Sequence, residues 1–186
     1  THPKDKSFIV SSDKDFLQLV DENVVVYRPM EKEYYTPQTV IDKYKLSPHN
    51  FILHKTLLGD NSDKIKGVKG LGEKGLLKKF PELIEKDMSW GDILNICEEK
   101  ISEHLVYARI IHGRDDLEKN YKIMDLSNPM LSKEDKIWLD EIVASDNLPY
   151  YPDQFVSMYN EDQIGGLIRN VEFWVKDCFN NLVIKK

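Results

Sequence analysis

The stretch FIVSSDKDFLQL, Phe8–Leu19, places two acidic residues directly after a short apolar run. Residues 7–12 predict a strand of a buried parallel sheet, and the segment after it predicts a short helix. Asp13 and Asp15 thus follow the carboxyl end of a strand, the edge where open parallel sheets bind ligands. A cation such as Mg²⁺ would relieve their mutual repulsion. Alternatively, Asp13 caps the helix and Asp15 lies favourably at its positive end.

The composition is that of a globular protein and not of a disordered or membrane-spanning one. The chain has 186 residues, which is enough for one compact domain or one and a half. Of these residues 41% are hydrophobic, and the net charge is −6. No apolar stretch approaches the roughly 18 residues that a membrane span needs, and residues 1–6 do not resemble a signal peptide. Cys97 and Cys178 form no CxxC pair, so we expect free thiols in a reducing compartment. The scattered histidines argue against a zinc site.

Apolar spacing predicts a small α/β region at the start of the chain and helices after it. Residues 23–29 predict a second strand, with which residues 32–36 are expected to pair. Capping signals at Thr36-Pro37 and Ser47-Pro48 predict the starts of two helices. The helices expected are residues 38–44, 48–58, 76–80, 89–99, 102–118 and 133–144. An amphipathic face over residues 164–182 is typical of core packing.

A second acidic pair, Asp60 and Asp63, lies in the stretch GDNSDKIKG, Gly59–Gly67. Two acids at positions i and i+3 of a turn can converge on one side, so this pair also predicts a cation site. The alternative is an Asx-type turn, which Asp, Asn and Ser all favour. An EF-hand loop is excluded because its sixth position is not glycine and its twelfth, counted from Asp60, is Leu71 and not glutamate.

The glycine-rich segment KIKGVKGLGEKGLLKKF, residues 64–80, predicts a helix-hairpin-helix. The glycines between Gly67 and Gly75 allow a tight turn, whose N–H groups can approach phosphate while the next helix offers its N-terminus. Residues 64–79 contain six lysines and one acid, a local charge of +5 that leaves −11 for the rest of the chain. Such a patch on an acidic protein indicates local contact with phosphate. The alternative is a solvated lysine-rich helix beside a structural glycine turn.

Two motifs together resemble the 5′-nuclease, or flap endonuclease, superfamily: SSDxDFxQL from Ser11 and GDxSDxIxGVxGLGEKG from Gly59. The superfamily includes the 5′–3′ exonuclease domain of bacterial DNA polymerase I and the T-even phage RNase H. The resemblance is strong over residues 8–80 and weaker through residues 120–126 and the C-terminal helices. It implies the C-terminal part of a PIN-like α/β fold. The parts implied are nuclease core over residues 1–62, helix-hairpin-helix over 63–82 and a helical region over 83–186.

The same resemblance implies site residues and cofactors. The catalytic and metal-binding carboxylates would be Asp13, Asp15, Asp60 and Asp63. Their cofactor would be Mg²⁺ or Mn²⁺, and a K⁺ ion would lie at the hairpin backbone of Val68 and Leu71. The DNA-binding residues would be Lys64, Lys66, Gly67, Lys69, Gly70, Gly72, Lys74 and Lys78.

The function implied is that of an RNase H-like 5′–3′ exonuclease or flap endonuclease of DNA replication or repair, in the cytoplasm of a bacterium or of a phage-infected host. Its implied partners are DNA (a 5′ flap, a nick or an RNA–DNA duplex) and single-stranded-DNA-binding protein. Members of the superfamily carry further acidic residues upstream, which this chain lacks. We therefore expect either that the chain is a truncated or split product, or that an upstream nuclease half supplies the rest as a partner chain. The alternative is a non-catalytic DNA-binding module that uses only the hairpin.

Overall fold

The computed structural model describes residues 6–144, 151–163 and 166–179. The chain divides into two compact units, one that extends to Met130 and one that begins at Leu131. The strands are β1 (Ser7–Val10), β2 (Val24–Arg28), β3 (Glu33–Tyr35), β4 (Gly59–Asp60) and β5 (Ile65–Lys66). The helices are a 3₁₀ helix (Lys14–Leu19), α1 (Pro37–Tyr44), α2 (Phe51–Leu58), α3 (Glu73–Lys79), α4 (Glu82–Glu85), α5 (Trp90–Glu99), α6 (Leu105–His112), α7 (Arg114–Met124), α8 (Lys133–Ala144), α9 (Pro152–Glu161) and α10 (Val171–Phe179).

The first three strands form a small sheet, which confirms the α/β class predicted for the start of the chain. β1 runs parallel to β2, with Ile9 opposite Val26, and β3 pairs antiparallel with β2 as predicted. One face of the sheet buries Val26 and Tyr35 in a core shared with Leu17 of the 3₁₀ helix and Val40 of α1. This core holds the sheet in place, so the acidic segment after β1 emerges at a defined position.

Helix α1 begins where its capping signal predicts. The hydroxyl of Thr36 accepts a hydrogen bond from the amide of Thr39 at 3.3 Å, and Pro37 is the first helical residue. The helix ends at Lys45, which adopts a left-handed conformation with φ of 60°. The local sequence is sufficient here because the cap needs only residues within one turn.

The start predicted for α2 is wrong by three residues, since the helix begins at Phe51 and not at Pro48. Residues 47–50 form a turn in which the amide of Asn50 bonds the carbonyl of Ser47 at 3.1 Å. The buried Asn50 side chain does not cap the helix. It bonds the backbone of residues 83, 86 and 88 at 2.7 to 2.9 Å. A contact with a segment more than thirty residues away therefore shifts the helix start.

A larger core joins α2 to the helices that follow the glycine hairpin. Its fully buried side chains include Leu57 of α2, Phe80 at the end of α3, and Ile110 of α6. Val68 and Leu71 of the hairpin pack in the same core, and each is only 8% exposed. The hairpin therefore shares a hydrophobic core with elements on both sides of it. The three-part division of the chain stays a prediction.

Two of the later helices of the first unit follow the predicted pattern, whereas α4 has no counterpart in it. The predictions for residues 76–80 and 89–99 correspond to α3 and α5. The single helix predicted over residues 102–118 is wrong, because Gly113 separates α6 from α7. The amide of Gly113 bonds the Arg109 carbonyl at 3.0 Å and closes the last turn of α6. A new helix then begins at Arg114, although the apolar spacing continues across the break.

The second unit is helical in its described residues. The prediction for residues 133–144 matches α8, and α10 lies within the amphipathic stretch predicted over 164–182, whose two ends fall outside the described residues. Helix α9 was missed, and it packs on α10 through Phe155 and Trp174, whose ring centroids are 6.1 Å apart. Among the described segments, every helix is too short or too polar to cross a membrane.

A close backbone approach connects the end of α2 to the glycine hairpin. β4 and β5 form a two-stranded antiparallel ladder with Gly59 opposite Lys66, and this ladder closes the loop that carries Asp60 and Asp63. Gly67 follows the ladder, and a Cβ on it would lie 2.1 Å from the carbonyl carbon of Leu58. Only a residue without a side chain fits between these two backbones.

Gly67→Ala should therefore destabilise the protein by roughly 1–3 kcal/mol, because the clash is with backbone atoms that cannot rotate away. Gly75→Ala is the matched control, since its Cβ would meet Leu71 Cδ1 at an ordinary 3.6 Å in the middle of α3. The control should gain about 0.5–1 kcal/mol from helix propensity. Urea unfolding monitored by circular dichroism gives both values. Equal stability of Gly67→Ala and the unaltered protein would contradict the close approach.

Candidate metal centre and nucleic-acid interface

Three carboxylates from two distant segments converge at one end of the sheet. Asp15 comes from the 3₁₀ helix after β1, Asp60 ends β4, and Asp63 lies in the turn between β4 and β5. One oxygen atom of each carboxylate lies within 4.8 Å of the others. The loop is shaped by Asp60 itself, whose Oδ1 accepts hydrogen bonds from the amide (2.8 Å) and the hydroxyl of Ser62. Three of the four aspartates in the two acidic pairs singled out from the sequence thus come together.

Asp13 occupies a different position from the other three. It is exposed, and its Oδ1 accepts a hydrogen bond from the amide of Asp15 at 2.9 Å, which makes it the N-cap of the 3₁₀ helix. Asp13 still lines the same cleft of about 650 Å³ as Asp60 and Asp63. The capping alternative therefore describes its local contact, and its role as a metal ligand stays a prediction.

Lys55 of α2 bridges two of the converging carboxylates. Its ammonium group hydrogen-bonds to both Asp15 and Asp60, and its side chain is only 12% exposed. Burial lowers the pKa of Lys55, but the hydrogen bonds to the two carboxylates outweigh burial and raise it. The same ammonium group, followed by the hydroxyl of Ser62, holds the pKa of Asp60 well below its usual range. Both partners are therefore charged at neutral pH.

Sequence reasoning missed Lys55. Lys55 lies outside the glycine-rich segment whose lysines predict phosphate contact. It precedes Asp60 by five residues, in the last turn of the helix that leads into the acidic loop. That spacing is the signal that could have found it. An amine on the last turn of a helix can reach back to groups that follow the helix end.

The donor set fits one hard divalent ion. All three side chains offer carboxylate oxygens, the ligands that Mg²⁺ and Mn²⁺ prefer. The Lys55 ammonium group lies against two of these carboxylates. Like-charged groups this close need a positive charge between them, and one ammonium group neutralises only one of the three. The arrangement therefore leaves negative charge for a cation to balance.

Two further side chains line the cleft and were not singled out from the sequence. His54 stacks on Phe51, with ring centroids 5.6 Å apart, and its Nε2 lies 3.9 Å from Glu73 Oε1. Burial lowers the pKa of His54, and Glu73 opposes this in part. Arg28 is buried and donates a hydrogen bond to the Ser12 carbonyl at 2.7 Å. Its guanidinium group also pairs with the carboxylate of Glu31 at 2.9 Å. It thus secures the end of β1 just before the acidic residues.

The glycine hairpin follows the acidic loop directly. Val68 donates its amide to the Leu57 carbonyl at 2.8 Å, and the Leu71 amide bonds the Val68 carbonyl at 3.0 Å. Gly70 adopts φ of 80°, and Gly72 precedes the first residue of α3. The predicted DNA-binding lysines are all exposed: Lys64, Lys66, Lys69, Lys74 and Lys78. The structure therefore places the basic surface next to the acidic cleft, separated by a short ladder.

Sequence relatives of the chain are nucleases and polymerases, although no protein-family model matches it. It is 36% identical over 135 residues to the 5′-3′ exonuclease of Aquifex aeolicus, which covers 68% of this chain and 42% of that protein. It is 35% identical over 113 residues to the thermostable DNA polymerase I of Thermus thermophilus, covering 55% of this chain and 13% of the polymerase. The chain belongs to the 5′-nuclease superfamily. It spans less than half the length of either relative.

A solved structure shares the fold of this superfamily member. The flap endonuclease D15 of bacteriophage T5, in a complex with DNA and metal ions, matches with a TM-score of 0.56. The match covers 78% of this chain and 50% of the T5 protein at 20% identity. Similarity at this level shows the fold alone. It confirms the partial 5′-nuclease fold predicted from the sequence.

Asp60→Asn should weaken Mn²⁺ binding roughly tenfold or more, because it removes one of three converging charges. Asp13→Asn should weaken Mn²⁺ binding less. It should also leave the 3₁₀ helix intact, since asparagine caps a helix as well as aspartate does. Asp42→Asn, on the exposed side of α1, is the control that removes a carboxylate elsewhere. Titration followed by electron paramagnetic resonance of free Mn²⁺ gives the affinities. An Asp60→Asn protein that folds and binds Mn²⁺ normally would exclude this cleft as the metal centre.

Proposed function

We propose that this chain is part of a metal-dependent 5′–3′ exonuclease or flap endonuclease that hydrolyses phosphodiester bonds in DNA replication or repair. The observation that carries the proposal is the convergence of Asp15, Asp60 and Asp63 on one point beside the glycine hairpin. Its relatives named as a 5′-3′ exonuclease and as DNA polymerase I support this class of activity. The T5 flap endonuclease that was solved with DNA supports DNA as the substrate.

In this proposal the side chains of the cleft fix where charge lies before DNA arrives. The low pKa of Asp60 keeps this carboxylate ionised at neutral pH. Lys55 pairs with Asp15 and Asp60 from one side and so holds the two carboxylates together. Divalent ions bound there would activate the attacking water and stabilise the leaving oxygen. The adjacent hairpin would hold the phosphate backbone in register with the cleft.

The cofactors belong to the same proposal. Mg²⁺ or Mn²⁺ is the expected divalent ion because the donors are carboxylate oxygens, and the T5 structure contains metal ions. K⁺ is proposed at the hairpin backbone of Val68 and Leu71. The Val68 carbonyl accepts one hydrogen bond, from the Leu71 amide, and its second lone pair can serve an ion. Single-stranded-DNA-binding protein stays a predicted partner.

An upstream nuclease half is the second proposed partner, and the open side of β1 supports it. Phe8 and Val10 are 59% and 67% exposed, although strands of parallel sheets are usually buried on both faces. Tyr34 of β3 lies beside them, with its ring centroid 6.3 Å from that of Phe8. Within the described residues, no strand pairs with the outer edge of β1. In this proposal an upstream nuclease half would pair with this edge, cover the exposed apolar face and contribute to the acidic site.

The chain by itself should cut a 5′-flap DNA slowly or not at all in Mg²⁺ or Mn²⁺. Three converging carboxylates can position one ion, whereas two-metal hydrolysis requires more ligands. Cleavage is measured on gels with labelled DNA, and Asp60→Asn identifies any contaminating nuclease. Robust cutting by the chain that disappears in Asp60→Asn would contradict the need for an upstream half.

A chimera tests the proposed activity directly. This chain should replace the matched segment of the Aquifex aeolicus exonuclease, so that the rest of that protein supplies the remaining residues. We expect the chimera to cut 5′-flap DNA and Asp60→Asn within it to lose roughly hundredfold or more. A folded chimera that binds DNA but never cuts it would favour the non-catalytic module.

Changing Lys69 and Lys74 to glutamate should weaken DNA binding and lower its salt dependence by about one to two in logarithmic slope. Both lysines are exposed on the hairpin and the first turn of α3. As a control, changing Lys133 and Lys136 of α8 to glutamate makes the same charge change on a helix of the second unit. Fluorescence anisotropy at several salt concentrations gives the slopes. An unaltered slope in the hairpin variant would mean that the basic patch does not contact phosphate.

A further inference from the structure

We infer that Arg109 and Asn120 are positioning residues that hold the glycine hairpin in its phosphate-binding orientation. The inference rests on the proposed contact between the hairpin and DNA. Neither residue belongs to the hairpin or to the acidic cleft. Arg109 lies on α6 and Asn120 on α7, 40 and 54 residues beyond the residues that they contact.

Both side chains donate hydrogen bonds to backbone carbonyls, one within the hairpin and one in β5 immediately before it. Nη1 of Arg109 lies 2.7 Å from the carbonyl oxygen of Lys69, and Nδ2 of Asn120 lies 3.1 Å from that of Lys66. The two donors line one side of a cleft of about 400 Å³, and the hairpin lines the other side. Leu117 of α7 packs in the large core, where it is 5% exposed, and anchors the helix that carries Asn120. The hairpin is therefore tied to a rigid surface at two points.

The bond from Arg109 also fixes the direction of an amide. In a planar trans peptide the C=O and the N–H point in opposite directions. Drawing the Lys69 carbonyl towards Arg109 therefore turns the Gly70 N–H away from the protein body. The amides of Val68 and Leu71 are engaged within the protein, so in this proposal the outward Gly70 N–H is one that a phosphate could meet.

Gly70 makes this approach of the guanidinium group possible. It adopts φ of 80°, and a Cβ built on it would lie 3.0 Å from Arg109 Nη1. A side chain at this position would therefore strain the backbone and press on Arg109. The glycine, the guanidinium group and the outward amide form one unit, in which Arg109 contributes a bond to the protein and not to the phosphate.

Hydrogen exchange of the hairpin amides tests the positioning without DNA. In Arg109→Ala and in Asn120→Ala, the amides of Val68 and Leu71 should exchange about five to ten times faster, as expected when a supporting hydrogen bond is lost. Arg114→Ala is the matched control, because it removes a nearby, exposed arginine that pairs with Asp115. Unchanged exchange in both variants would overturn the inference, whatever DNA does.

DNA binding then separates positioning from direct contact. Arg109→Ala should bind duplex DNA about five to ten times more weakly with an unchanged salt slope, whereas loss of a phosphate contact lowers the slope by about one. Arg109→Lys keeps a donor and the charge, so it should restore part of the affinity. Asn120→Ala removes no charge and should show the same loss without a change in slope. A slope lowered by about one in Arg109→Ala would make Arg109 a direct phosphate contact and overturn its positioning role.

The two proposals fail in different ways. If the unaltered chain shows no salt-dependent DNA binding, the proposed function of the hairpin fails, while the exchange rates still decide whether Arg109 and Asn120 fix its conformation. If Arg109→Ala does not fold, the uncharged Asn120→Ala variant decides alone. Normal exchange and normal affinity in Asn120→Ala would then overturn the inference.

Discussion

The close approach of two backbones at Gly67 and Leu58 is the constraint on which the functional region depends. It presses the start of the hairpin against the end of α2, at a distance that no side chain allows. The β4–β5 ladder forms beside this contact and closes the acidic loop. The cleft and the basic hairpin are therefore two sides of one rigid connection. The proposed nuclease would need this arrangement, because a phosphate held at the wrong distance from the proposed metal ligands could not react.

The same connection between α2 and the hairpin brings acidic and basic groups side by side. The chain is acidic overall, yet six lysines follow the acidic loop within residues 64–79. Lys55 enters the cleft from the preceding helix and balances part of the carboxylate charge there. The carboxylates thus have an internal cation on one side and open space on the other. In the proposed function, the cleft would attract cations while the neighbouring hairpin would attract phosphate, and the short ladder lies between the two.

Local sequence patterns predicted the elements whose physics is local. The Thr36-Pro37 cap, the strands of the small sheet and the glycine hairpin need only neighbouring residues, and each formed where it was predicted. The errors arose where distant segments intervene. Asn50 bonds residues 83–88 and so cannot cap α2, and Gly113 divides a continuous apolar pattern into two helices.

For the candidate site, the sequence alone determined which residue types are present: two pairs of aspartates, a glycine-rich turn and a run of lysines beside it. It also determined the superfamily, because both motifs occur in order. Only the tertiary structure decided that Asp15 joins Asp60 and Asp63 while Asp13 caps a helix, and that Lys55 stands between them. It likewise revealed Arg109 and Asn120 behind the hairpin. The physical reason is that residue types and short spacings are written in the chain, whereas contacts across 40 or more residues arise only when separate elements pack into a shared core.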